Sequence, residues 1–172
     1  KVPGAYRNLD ADELAFKLYN KFNYGMGKYK IKPSIIKVAS KYEKLSSFEK
    51  RALRASAMVQ NKLNVPIATH AIRGGRQQLE YLLENGANPS KIFISHMEMG
   101  LKGKYKKTFN ELLSDMLWVL KQGSYIFFGD FTLRDTEYRR KVISLLENCV
   151  QNGFENQIFI STDTFWSVRR NR

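Results

Sequence analysis

Five short runs rich in isoleucine, valine and phenylalanine recur along the chain: SIIKVAS, PIATH, KIFISH, SYIFFGD and NQIFIST. Between them lie four stretches with apolar residues at helical intervals, such as Phe48, Ala52, Ala55, Val59 and Leu63. Apolar runs without polar alternation suit parallel strands covered on both faces. Strand and helix alternating in series define an α/β fold. Local signals agree. Asp10 with Glu13 caps a first helix through ELAFKLYNKF, which Gly25 and Gly27 end, and Ser46 with Glu49 has capping-box spacing. Asn85-Gly86, Gly123 and Gly153 stop later helices.

Composition narrows the classes. A chain of 172 residues, 43% hydrophobic and 13% aromatic, suits a single globular domain over 1–172. No run of about 18 apolar residues predicts a membrane helix. KVPGAYRNLD lacks the apolar core of a signal peptide, and a single cysteine suits a cytoplasmic location. Cys149, in VISLLENCV, reads as a small buried core residue. The formal charge of +13 raises a nucleic-acid-binding class, which is discounted because the basic residues are scattered. The densest clusters, KGKYKK (102–107) and RRK (139–141), read as solvated surface.

The ends of the five runs carry the chemistry. Lys37, His70, His96, Asp130 and Asp163 stand at or near them, 33, 26, 34 and 33 residues apart by subtraction. That is close to the roughly 30 residues of one βαβ unit. In a barrel the strand ends share one mouth; in a doubly wound sheet they share one edge. Both histidines of the chain occupy equivalent places. Two imidazoles and a carboxylate suit zinc or manganese. An ammonium has no lone pair, so Lys37, expected to be buried among Ile35, Ile36 and Val38, needs another explanation. Reaction with carbon dioxide would make it an anionic carbamate able to bridge two metals. The competing explanation is an ion pair with Asp163.

IIKVAS, PIATHAIRGG, IFISHME, YIFFGD and IFISTDTF together resemble, in order and spacing, the phosphotriesterase family of the amidohydrolase superfamily, from about Ser34 to Trp166. The resemblance implies a (β/α)8 TIM barrel with two divalent metal ions, usually zinc, in its mouth. It matches Lys37 to the carboxylated bridging lysine of the fourth strand, and His70 and His96 to the metal-binding histidines of the fifth and sixth. Asp163 matches the eighth-strand aspartate, a metal ligand that also accepts a proton from the bridging hydroxide. The implied activity is metal-dependent hydrolysis of the lactonase type, with that hydroxide attacking a lactone carbonyl or a phosphorus centre.

The departures matter equally. The family's first-strand His-x-His pair has no counterpart here, and 172 residues is short of the roughly 250 of a full barrel. The chain is therefore expected to correspond to strands four to eight, with all protein ligands for one metal and two missing for the other. Met99 stands where many relatives carry an aspartate, with Glu98 beside it, which puts a proton relay there in question. Phe131 stands where lactonases of apolar acyl lactones often carry arginine, which argues against hydrophobic signalling lactones, and a subset of the family's lactonases acts on phosphorylated sugar lactones. Arg73, Arg134 and Arg169 are candidate phosphate clamps. Asp130 is a candidate substrate residue, Tyr42 and Trp166 candidate pocket walls, and the glycines of IRGGR a turn from strand into helix. The expected partners are a small molecule and a second copy of the chain. Alternatives are an inactive barrel portion that binds a phosphorylated ligand, a half needing another chain, and a basic nucleic-acid-binding domain.

Overall fold

A computed structural model describes residues 4–40, 42–71, 73–103, 106–129 and 136–162. Helix α1 (Ala11–Tyr24) precedes a strictly alternating series. The series is β1 (Ile36–Ser40), α2 (Ser47–Leu63), β2 (Ile67–Ala71), α3 (Gly75–Glu84), β3 (Ile92–Ser95), α4 (Phe109–Lys121), β4 (Tyr125–Phe128), α5 (Thr136–Gln151) and β5 (Ile158–Ile160). All neighbouring strands are parallel, and their order in the sheet is their order in the chain. A doubly wound sheet reverses strand order at a switch point, whereas a barrel does not. The five strands follow the barrel rule.

The helix starts are built as the sequence predicts. Asp10 and Ser46 each accept from the backbone three residues on, and Glu13 and Glu49 accept from the cap amides in return. Thr108 and Glu111 form a further capping box at the start of α4. The Thr108 amide and hydroxyl, both donating at 2.8 Å, hold the Glu111 carboxyl below its ordinary value. Thr108→Ala should lower the melting temperature by about 2–4 °C at neutral pH, the effect of losing one typical cap in a chain this size. A depressed carboxyl contributes stability above its unfolded pKa and loses it as pH falls through its folded one. The gap between wild type and variant, followed by thermal melts, should therefore shrink in acid.

The core lies between the helices and one face of the sheet. Ile36, Val38, Ile67, Ile92, Ile94, Ile126 and Phe128 point there and meet Leu53, Leu79, Leu82, Leu112, Met116 and Leu145. Cys149 is among them, and burial pushes its thiol up to about 11, so it remains protonated at neutral pH.

Two expectations need correction. The first strand is not covered on both faces: in β1, Ile36, Val38 and Ser40 are buried while Lys37 and Ala39 are exposed, although Ala68 of β2 and Ser95 of β3 on that same face are buried. Lys37 is thus not a buried lysine within this chain, because it projects from the face opposite the helices. Nor is the 102–107 cluster uniformly solvated. Lys107 retains 12% side-chain exposure, contacts Glu43 Oε1 at 2.6 Å and also pairs with Asp115. Burial opposes its charge, but the bonds to Asp115 and Glu43 outweigh that and raise its pKa. The network joins the loop after β1 to the loop before α4.

Candidate active site

Register decides which side chains share the face opposite the helices. One row runs Lys37, Ala68, Phe93 and Tyr125, and the row toward the strand C-termini runs Ala39, His70, Ser95, Phe127 and Phe159. The aromatic members associate: Tyr125 and Phe159 stack at 5.6 Å, and Phe93 lies 6.0 Å from Phe127. They make an apolar platform beside a polar corner.

Lys37 starts in the lower row and reaches up. Its Nζ donates to Thr69 O at 3.1 Å and to Ser95 Oγ at 3.3 Å, so it crosses β2 to lie beside β3. Ser95 is the register partner of His70, and its hydroxyl also donates to Thr69 O. The His70 and His96 rings are 4.6 Å apart between centroids. His96 is buried, and its backbone is left-handed with φ of 67°, a conformation in which histidine is found more often than most residues. This turn follows β3 directly and is pinned by the His96 amide donating to Phe127 O at 3.2 Å. The ring then rests on Gly129. A Cβ there would come within 2.5 Å of His96 Cε1, so the absence of a side chain makes room for the imidazole.

The chain's own residues fit one divalent ion. Two imidazoles stand at neighbouring strand ends with a lysine nitrogen brought to the same corner, residue types that could hold such an ion if the lysine were carboxylated. Among the described residues no three His, Cys, Asp or Glu side chains cluster.

The other sequence candidates divide. Arg73 is half-buried, and its Nη2 donates to Lys102 O at 3.5 Å, close to Gly103. Tyr42 is 48% exposed, and its carbonyl closes over Gly74 at the turn into α3. The glycines of IRGGR thus do form that turn. Asp130, Arg134, Asp163, Trp166 and Arg169 lie outside the described residues. Glu98 emerges as a residue whose place the sequence left open. It is fully buried and its Oε1 accepts from the Gly129 amide at 2.9 Å. A carboxylate inside the apolar stretch HMEMG was the available signal.

These features define a parallel βα barrel-type protein with its polar groups gathered at the strand C-termini. The profile of the phosphotriesterase family matches residues 3–171, and the chain belongs to that family. It is 26% identical over 170 residues to an N-acetyltaurine hydrolase of Xenopus tropicalis, covering 91% of this chain and 46% of that protein. It is 27% identical over 99 residues to an aryldialkylphosphatase of Saccharolobus solfataricus, covering 56% of this chain and 32% of that protein. The organophosphorus hydrolase of Deinococcus radiodurans superposes with a TM-score of 0.77 at 25% identity, covering 91% of this chain and 45% of that one. A structure of organophosphate hydrolysis activity engineered from a weak promiscuous lactonase template also gives 0.77. The chain spans about a third to a half of the length of the curated relatives it matches.

Proposed function

We propose that this chain supplies the metal-binding corner of a hydrolase that cleaves small lactones or esters carrying an anionic group. The observation that supports the reading most strongly is the convergence of Lys37, His70 and His96 on one corner at the strand C-termini. A divalent ion held there would polarise an acyl oxygen and acidify water. The Lys37 ammonium first gives up a proton, and the free amine then adds carbon dioxide at Nζ and releases a second, so the side chain passes from one positive to one negative charge. Thr69 O and Ser95 Oγ keep that nitrogen at the corner. His70 and His96 offer neutral nitrogen lone pairs. Water adds to the acyl carbon, the ring C–O bond breaks, and the leaving alkoxide takes a proton to give a hydroxy acid. Asp163, by family resemblance, accepts the proton released by water. Arg73 is the candidate partner for a phosphate on the substrate.

A second reading replaces the lactone by an anionic N-acyl amide. Relatives named N-acetyltaurine hydrolase in Xenopus tropicalis and Homo sapiens favour it. Both substrates need the same attack on an acyl carbon, and both carry a negative tail. Hydrolysis of a phosphorylated sugar lactone should disappear with a chelator and return with zinc. Exclusive hydrolysis of the N-acyl amide would select the second reading. Turnover unaffected by a chelator would contradict both.

A further inference from the structure

We propose that Glu98 is the positioning residue for His96: its carboxylate holds the His96 ring proton on Nδ1 and so leaves Nε2 as the ligating nitrogen. The inference deepens the metal-site reading and rests on it for the role of Nε2. Glu98 has 0% exposure and lies two residues beyond His96, at the start of the 3-10 helix Met97–Leu101. A fully buried carboxylate is costly unless fixed groups compensate it. One of them is the Gly129 amide, 2.9 Å from Oε1. The same Oε1 stands 3.9 Å from His96 Nδ1. That is beyond hydrogen-bond distance, so the influence is electrostatic: a proton on Nδ1 faces a negative oxygen in a dry site.

The geometry makes the three residues one unit. Glu98 grips the backbone of Gly129, and Gly129, having no side chain, carries the His96 ring against it. The left-handed backbone at His96 turns the chain so that the ring and the carboxylate both face β4. Metal-binding histidines generally point their second nitrogen at a carboxylate or carbonyl, which fixes tautomer and orientation. At this site Glu98 fills that place.

The chain holds 2 histidines, so ¹⁵N-histidine NMR of the metal-free protein resolves the tautomers, with His70→Asn assigning the signals. The wild-type His96 ring is expected as the Nδ1–H form. Glu98→Gln keeps the size of the side chain and its acceptor for the Gly129 amide but removes the charge. In that variant His96 should move toward the Nε2–H form preferred in water, and zinc affinity by calorimetry should fall about 10–100-fold. Glu98→Asp should retain more of both properties than Glu98→Gln. A wild-type His96 already in the Nε2–H form overturns the proposal without any variant. An unchanged tautomer in Glu98→Gln overturns it equally. If the wild type bound no zinc while the tautomer responded to Glu98, the metal reading would fail and the Glu98–His96 coupling would stand.

Discussion

Lys37→Ala is expected to reduce hydrolysis to background while leaving the fold intact. Two effects separate. Lys37 is exposed on the face away from the helices, so truncation removes little packing. Substitutions at such surface positions change stability by no more than about 0.5 kcal/mol, and the melting temperature should barely move. Function should respond very differently, because the variant loses the nitrogen that becomes the anionic ligand. Disturbing only the groups behind a metal ligand costs about 10–100-fold, so losing the ligand itself should exceed about 100-fold in kcat/KM. Lys37→Arg sharpens the comparison. It restores a cation able to donate to Thr69 O and Ser95 Oγ, but a guanidinium does not form the carbamate. The account predicts an arginine variant as inactive as the alanine one. Activity in the arginine variant would mean that Lys37 acts as a cation, and the ion-pair explanation would replace the carbamate.

Gly129→Ala should have the second-largest effect, without touching a ligand. The new methyl would sit 2.5 Å from His96 Cε1 and 2.7 Å from Nδ1, well inside contact distance. The ring must retreat by about 1 Å, and a shift of that size in a reacting constellation can cost about 10²-fold. His96 has little freedom to adapt, because its backbone is already left-handed and its amide is bonded to Phe127 O. Zinc affinity and kcat/KM should fall together, and Gly129→Ser should be no better than alanine. Wild-type values in the alanine variant would show that the packed position of His96 is immaterial to function.

The sequence was informative where local physics governs. The cap residues Asp10 and Ser46, the stop at Asn85-Gly86 and the apolar runs each report on neighbours a few positions away. The spacing of the strand ends then located His70 and His96. Faces were harder to read. The run IIKVAS contains no polar alternation except Lys37 itself, so nothing local says that Lys37 points away from the helices. That property belongs to the register of β1 on β2. The pairing of Glu98 with Gly129 spans 31 positions and depends on β3 and β4 lying side by side. Lys107 was misread for a similar reason: Glu43, one of its partners, comes from a loop far away in the sequence.

The central claim is that Lys37, His70 and His96 together hold a metal ion. Elemental analysis of the chain, purified gently in bicarbonate, tests it most directly when wild type is measured beside Lys37→Ala and His70→Asn. The account predicts at least one equivalent of divalent metal per wild-type chain and near-total loss in both variants, with all three proteins equally folded. A wild-type chain free of metal, or variants that keep it, would contradict the account and leave Lys37 as an ordinary lysine at the edge of the sheet.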